Sequence, residues 1–247
     1  MLLEIWYDGK HFWIEDDDAA RPDNKPSGVE KAAVNEIISA DHEWTDVLDA
    51  FAAYGIGSYI FSKHAKHVLA LELNGRRFAI LWPNVCDIAN IEVQHIDNVE
   101  FLKRALRERM TPPELIDLDT YDNTRAQLPL ALEWVKYGAL LLTTGEIHGI
   151  YRNSPFGRAY HPEIEGQYIG KEAVRWAEEV FIPDLIRAYS QYELRPIHFY
   201  AEPTSIRVVF EVGGFKFTDE TKAKLAARPH YVGWFNNAAK FIKRRKK

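Results

Sequence analysis

Three residues near the middle of the chain have side chains that could together hold a divalent metal ion. His161, Glu163 and Glu165 alternate along the sequence, so an extended segment would turn all three toward one side. One imidazole and two carboxylates form a suitable ligand set for such an ion. Pro162 interrupts the alternation and glycines flank the segment, so a solvated acidic loop is the interpretation that we favour.

Two tripeptides enclose these residues, Gly149-Ile150-Tyr151 before them and Tyr168-Ile169-Gly170 after them. At these two motifs the chain resembles the GIY-YIG nuclease family. The resemblance implies a metal-dependent nuclease, with a divalent metal as cofactor and four catalytic residues: Tyr151, Tyr168, Arg175 and Glu220. In such an enzyme the cation stabilises charge on the phosphate, and an arginine holds the scissile group.

Arg175 has a second interpretation, because Glu179 follows it by four residues. The apolar spacing after Gly170 predicts an amphipathic helix, on which these two side chains would form a surface ion pair. Motifs of other enzyme classes are missing from the sequence: there is no phosphate-binding P-loop, no GxGxxG after a strand, no serine nucleophile elbow and no HExxH. Nucleotide hydrolysis, Rossmann-type redox chemistry and zinc proteolysis are therefore disfavoured.

Charge is distributed unevenly along the chain. The formal net charge is −5, yet the last eight residues, KFIKRRKK, contain six lysines or arginines and no acid. This segment would attract a polyanion such as nucleic acid, through Lys240, Lys243, Arg244, Arg245, Lys246 and Lys247. Apolar residues before it predict a last helix, so improved solubility and a favourable helix dipole explain the same basic residues equally well.

The first segment, EIWYDGKHFWI, predicts a hairpin that turns at Asp8-Gly9. In that register Trp6, His11 and Trp13 share one face, while the other face contains Ile5, Tyr7 and Phe12. Only one face can pack inward if the hairpin lies on the surface. The face formed by Trp6, His11 and Trp13 is therefore either a candidate binding surface or covered by a neighbouring helix.

Two further segments, LALELNGRRFAIL and VVFEVGGFKFT, predict hairpins at Asn74-Gly75 and Gly213-Gly214. Helices are expected between the hairpins, over residues 29–40, 43–54 and 97–110, and from Pro129 to near Gly145. The predicted fold class is α+β: mostly antiparallel β-hairpins packed with α-helices, in one domain or two lobes. The lobes would be residues 1–110 and 125–247, joined by a linker at 111–124 that is rich in Pro, Asp and Asn.

We expect a cytoplasmic protein, because Cys86 is the single cysteine and the opening alternates like a strand rather than a signal peptide. The most apolar stretch, residues 128–142, is short and includes Glu133 and Lys136, so no membrane span is predicted. The preferred function is non-catalytic, with no cofactor: binding of nucleic acid, or of a nucleic-acid-handling complex, through the aromatic surface and the basic C-terminal helix. The alternatives are the metal-dependent nuclease and an acidic inhibitor that occupies a partner's nucleic-acid-binding groove.

Overall fold

The computed structural model describes residues 2–15, 24–120, 124–145, 171–202 and 205–232, with the backbone alone at 24–28 and 171–173. The strands in these ranges are β1 (Leu2–Tyr7), β2 (Lys10–Glu15), β3 (Trp44–Asp49), β4 (Ala65–Glu72), β5 (Ile91–His95), β6 (Leu115–Asp119), β7 (Gly138–Thr144), β8 (Arg195–Ala201) and β9 (Ile206–Val212). The α-helices are α1 (Asn24–Ser39), α2 (Ile56–Ser62), α3 (Gly75–Val85), α4 (Asn98–Glu108), α5 (Leu128–Val135), α6 (Lys171–Trp176), α7 (Ile182–Ala188) and α8 (Asp219–Ala226). A π-helical turn, Ala177–Phe181, joins α6 to α7.

A seven-stranded sheet with the order β5-β4-β3-β6-β7-β9-β8 forms the centre of the described structure. Strands β3 to β7 pair in parallel, and β9 runs antiparallel to both of its neighbours. Parallel neighbours need crossover connections, which helices provide here. The predicted α+β class with mostly antiparallel hairpins is therefore wrong, because the fold is a mostly parallel α/β sheet.

Helices cover both faces of this sheet. On one face α4, α5 and the α6–α7 segment pack on residues such as Leu140 and Leu142, while α1, α2 and α8 pack on the opposite face against Ala139 and Leu141. All of β7 is buried, so polar and apolar residues do not alternate along it. Without that alternation the sequence pattern cannot distinguish a strand from a buried helix. This explains why one helix was expected from Pro129 to near Gly145, where the structure has α5 followed by β7.

The first predicted hairpin is confirmed, since β1 and β2 pair antiparallel with Trp6 opposite His11 and the turn at Asp8-Gly9. The second is wrong. Asn74 caps the N-terminus of α3 instead, and its side-chain oxygen accepts hydrogen bonds from the backbone N–H of Arg76 and Arg77. Asparagine suits both a tight turn and a helix cap, so the sequence pattern alone did not distinguish them.

The third predicted hairpin is also wrong, because β9 ends at Val212 and the residues after Gly213-Gly214 lead into α8. The helix expected over 43–54 is replaced by β3 and the loop that follows it. The segment 111–124 contains β6, which pairs with β3 on one side and β7 on the other. The predicted boundary between two lobes would therefore have to run through the middle of the sheet.

Candidate functional site

The carboxyl ends of β3 and β6 form the switch point of the sheet. From β3 the chain continues outward through β4 and β5, and α4 then returns it to β6 on the other side of β3. Ligands of open α/β sheets bind in the crevice at this kind of position. A cleft lies there, lined by residues of α1, α2 and the two strand ends, among them Lys31, Asp49, Tyr54, Gly57 and Asp119.

The loop between β3 and α2 forms one wall of the cleft and is fixed by its neighbours. Ala50 N–H donates to the backbone carbonyl of Asp117, and Ala52 N–H donates to that of Leu71. Gly55 has φ +89°, and a Cβ atom there would lie 2.7 Å from Val85 Cγ1 on α3. Glycine is therefore required at this turn by its backbone angle and by the close approach of α3.

Three acidic residues end the strands at this edge: Asp49 on β3, Glu72 on β4 and Asp119 on β6. Glu72 is 8% exposed, and its carboxylate accepts hydrogen bonds from the backbone N–H of Ala53 and Asn74. The hydroxyl of Ser58 donates to Asp49 Oδ2 over 2.7 Å. Asp119 Oδ2 lies 2.5 Å from Lys31 Nζ, so α1 provides a cation to this edge.

Burial and the neighbouring Asp117 raise the pKa of Asp49 to about 6, although Lys31 and Ser58 act in the opposite direction. Burial acts against ionisation of Asp119 and Lys31 as well, but their mutual attraction prevails and lowers the pKa of Asp119 while raising that of Lys31. The pair with Lys31 thus keeps Asp119 in its ionised form at the rim of the cleft. A cation bound beside Asp49 would favour the ionised form of that carboxyl group in the same way.

Arg207 on β9 lies beneath this edge and is 1% exposed. Its guanidinium forms a bidentate pair with Asp117 on β6, at 3.1 and 3.0 Å. It also donates to Thr143 Oγ1 on β7 and to Asn35 Oδ1 on α1. One buried cation therefore ties three strands and a helix together directly behind the cleft.

Glu202 follows β8 at the same edge of the sheet and is 4% exposed. Ser205 Oγ donates to its carboxylate over 3.0 Å. Burial raises the pKa of Glu202 to about 8, although the Ser205 hydrogen bond lowers it, and the nearby Asp119 raises it further. Burial thus favours the protonated, neutral form of Glu202.

The raised pKa of Glu202 predicts that stability is lost as the pH rises from about 4.5 to about 8. Between the ordinary value of 4.5 and the folded value of about 8, the folded protein binds more protons than the unfolded chain, so its stability falls as pH rises. Glu202→Gln keeps an acceptor for Ser205 and removes this titration. We expect the difference in unfolding free energy, variant minus unmodified protein, to increase by about 1.4 kcal/mol for each pH unit across this window.

Urea denaturation at a series of pH values measures this difference. The exposed Glu178→Gln is the matched control and should follow the unmodified protein throughout. A Glu202→Gln profile that runs parallel to the unmodified one would show that Glu202 does not titrate in this range.

Of the four catalytic residues implied by the nuclease resemblance, the structure describes Arg175 and Glu220, and it does not bring these two together. Tyr151 and Tyr168 lie outside the described residues, as do His161, Glu163 and Glu165. Arg175 pairs with Glu179 at 2.9 Å, which confirms the predicted ion pair. Glu220 pairs with Lys224 on α8, across the sheet from the helix that carries Arg175.

The aromatic residues expected to bind a partner lie on the outer face of the β1–β2 hairpin. Trp6 is 49% exposed, while Phe12 on the inner face is fully buried. The His11 ring centroid lies 5.5 Å from that of Trp6 and 4.7 Å from that of Trp13. The basic residues 240–247, including Lys240, Lys243, Arg244, Arg245, Lys246 and Lys247, lie outside the described part of the chain.

No group of three His, Cys, Asp or Glu side chains within the described ranges is arranged to hold a metal ion. Within the same ranges, no helix combines the length and apolar character needed to cross a membrane.

Solved structures share this fold over most of the chain. Trm1 from Pyrococcus horikoshii, solved with S-adenosyl-L-methionine (SAM), is 18% identical with a TM-score of 0.66, covering 91% of this chain and 64% of that protein. The Methanocaldococcus jannaschii tRNA m1G37 methyltransferase is 15% identical with a TM-score of 0.55, covering 85% of this chain and 56% of that one. The N-methyltransferase NodS from Bradyrhizobium japonicum is 13% identical with a TM-score of 0.51, covering 77% of this chain and 98% of that one.

These comparisons show the fold: a Rossmann-like sheet of the kind found in SAM-dependent methyltransferases. The chain spans less than two thirds of the length of the first two structures. No protein-family model and no curated protein matches the sequence.

The fold comparisons correct four expectations. The non-catalytic binding protein and the nuclease are both contradicted, because the three solved structures compared above, which share the fold, are methyltransferases. The expectation that the protein is not an enzyme and that it has no cofactor is contradicted for the same reason, since Trm1 was solved with SAM and M. jannaschii Trm5 with adenosine. The acidic groove-occupying inhibitor has no support among these structures.

The sequence interpretation missed Asp49, Glu72, Asp119 and the loop between β3 and α2. A usable signal existed, because three apolar runs each end in an acid, in TDVLD, HVLALE and LIDLD. Strand ends of this kind meet at one edge when the strands are parallel. The pattern was not used because two of these runs were assigned to a helix and to a hairpin.

Proposed function

We propose that this protein is a SAM-dependent methyltransferase that modifies RNA. The observation that carries the proposal is the position of three acids at the switch point of the sheet: Asp49 and Asp119 line the cleft, and Glu72 ends the neighbouring strand with its carboxylate bound to the loop between β3 and α2. SAM is a nucleoside with a sulfonium and an ammonium group, so a carboxylate-lined cleft suits it. The pyrophosphate of a dinucleotide would instead be repelled by these charges.

The described residues fit the parts of SAM. Glu72 ends the second strand of the unit, about 20 residues after the first strand, where an acidic side chain binds ribose hydroxyls in related α/β sites. Leu73 follows it and is 60% exposed, which provides an apolar contact for adenine. Gly57 lies where a Cβ would be 3.0 Å from Asp49 Oδ2, so its lack of a side chain keeps that carboxylate accessible from the cleft. Asp49 is then placed to bind the cationic amino acid end.

When bound, SAM would supply an electrophilic methyl group: a nitrogen lone pair of the substrate would bond to the methyl carbon, the carbon–sulfur bond would break, and S-adenosylhomocysteine would leave. The attacking nitrogen becomes positively charged as the new bond forms. Asp119 is held as a carboxylate at the cleft by Lys31 and can accept a hydrogen bond from an N–H of the substrate. Its charge would then stabilise the positive charge that develops on nitrogen. The network around Arg207 fixes the end of β6 and so the position of Asp119.

RNA as the substrate is supported by two observations. Among the structures with this fold are the tRNA m1G37 methyltransferase and a complex of aTrm5 with tRNALeu. In this chain Tyr231 bridges to Ala201 in parallel, so the described chain reaches the carboxyl end of β8, on the same edge of the sheet as the cleft. The basic residues 240–247 follow within a few positions and would contribute sequence-independent attraction to phosphates. The single cysteine suits a cytoplasmic location for this work.

Methyl-labelled SAM incubated with the protein and total RNA tests this function. We expect label in the RNA fraction that ribonuclease releases, and none in added protein or DNA. A chain truncated after Ala239 should bind SAM as before but bind and label RNA more weakly, with the largest difference at low salt. Label that appears in protein or in small molecules, with none in RNA, would contradict the proposed substrate.

A further inference from the structure

We infer that the outer face of the β1–β2 hairpin is a stacking surface for unpaired bases of the substrate RNA. The inference deepens the proposed function and rests on it for the identity of the partner. The stacking surface consists of Trp6, His11 and Trp13, the three rings that the hairpin register places side by side. The ligand expected on this surface is single-stranded RNA, because every base has a flat face that an aromatic ring can cover, whatever the sequence.

The rings form a continuous row on one face of the two strands. The His11 and Trp13 rings meet edge to face, and the Trp6 ring is tilted by 40° against that of His11. The carboxylate of Glu4 lies on the same face, with Oε1 3.2 Å from His11 Nε2. Trp6 keeps about half of its surface exposed, at 49%, so its ring is accessible to a base.

The opposite face of the hairpin is anchored in the protein. Phe12 is fully buried and belongs to a cluster with Ala52, Leu81 and Val85. The hydroxyl of Tyr7 donates to Glu36 on α1 over 2.7 Å. The hairpin is therefore a fixed part of the described structure, and its outer rings are held in place before any partner arrives.

The stacking surface is connected directly to the cofactor cleft. Asn84 is 2% exposed; its side-chain oxygen accepts from Trp13 N–H, and its amide donates to the carbonyls of Trp13 and Tyr54. Tyr54 lines the cleft, and its hydroxyl donates to Glu15 at the end of β2. Trp13 is therefore the residue of the stacking surface that is linked to the cleft, through Asn84 and Tyr54, while Trp6 lies nearer the hairpin turn.

Two arginines at the start of α3 lie near the point where the hairpin meets the cleft. The Arg77 guanidinium carbon lies 6.0 Å from the centroid of the Tyr54 ring, and the exposed Arg76 precedes it at the start of α3. An RNA strand that leaves the cleft along the hairpin would place phosphates near these arginines while its bases contact the rings. Aromatic rings interleaved with arginines are the usual composition of single-strand binding surfaces.

Binding of two fluorescent probes to the intact chain tests the inference: a short single-stranded RNA, and an oligomer with the same backbone that lacks bases. We expect Trp6→Ala to weaken binding of the RNA about fivefold to a hundredfold, the loss that one base stack predicts. Binding of the abasic oligomer should change little, because phosphate contacts remain. Trp6→Phe keeps a ring and should restore most of the affinity.

Tyr137→Ala is the matched control, because Tyr137 is an aromatic residue with 62% exposure that precedes β7 at the opposite edge of the sheet. Equal RNA affinities of Trp6→Ala and Tyr137→Ala would overturn the inference. So would a Trp6→Ala protein that binds RNA normally but changes its oligomeric state in sedimentation, since the face would then be an interface between copies. SAM binding, measured separately, distinguishes the two proposals. A protein that binds RNA through Trp6 but binds no SAM would contradict the proposed methyltransferase function and leave the stacking surface standing.

Discussion

Replacing Arg207 with methionine is expected to lower the free energy of unfolding by about 3–5 kcal/mol. The substitution removes the cation from a buried cluster and leaves the Asp117 carboxylate, 1% exposed, without its bidentate partner. Thr143 and Asn35 lose a hydrogen bond at the same time. Lys31 lies 4.0 Å from Asp117 and compensates only in part. Urea denaturation at neutral pH measures the loss.

Arg187→Met provides the matched control, because Arg187 forms a surface pair with Asp184 and its side chain is 76% exposed. An exposed pair of this kind contributes at most about 1 kcal/mol. The double variant Arg207→Met with Asp117→Asn should recover part of the loss, since the unpaired charge is then gone. A loss below about 1 kcal/mol for Arg207→Met would mean that the cluster does not hold the strand ends together.

Asp119→Asn is expected to reduce methyl transfer to RNA roughly 100-fold while changing the affinity for SAM much less. The variant keeps the size of the side chain but removes the negative charge that would stabilise the forming cationic nitrogen. Because Lys31 keeps the pKa of Asp119 below its ordinary value, the loss should be nearly constant from neutral to mildly acidic pH. Single-turnover labelling with saturating SAM separates the transfer step from binding.

Asp87→Asn serves as the control, since Asp87 pairs with Lys10 on the surface and its side chain is 68% exposed. Unfolding measurements should accompany the assay, because Asp119→Asn also removes the partner of Lys31. A folded Asp119→Asn protein that transfers methyl groups at the original rate would exclude Asp119 from the reaction.

Some of the fold could be predicted from the sequence, because local signals were decisive in those places. The β1–β2 hairpin follows from Asp8-Gly9, and α4 begins as expected at Asp97, whose side chain accepts from Glu100 N–H. The parallel sheet was missed because its strands are buried on both faces and their order depends on contacts far apart in sequence. Asn74-Gly75 then favoured a hairpin, although Asn74 caps a helix.

Predicting the candidate site from the sequence would have required the order of the strands in the sheet, which brings together residues far apart in the chain. Arg207 and Asp117 are 90 residues apart and meet only because β9 inserts next to β7. Neither residue has a distinctive neighbour in the sequence that would indicate a pair. Trp6, His11 and Trp13 were identified correctly as one face, because a hairpin register is a local property. Whether that face binds a partner remains a prediction.

Isothermal titration calorimetry of the purified protein with SAM tests whether the cleft is a SAM site. We expect saturable binding to one site, weakened at least about tenfold by Glu72→Ala and unchanged by Glu100→Ala, an exposed acid on α4. NAD⁺ should give no heat of binding at the same concentration. The opposite result, in which the folded protein binds NAD⁺ but not SAM, would contradict the assignment of this cleft to SAM.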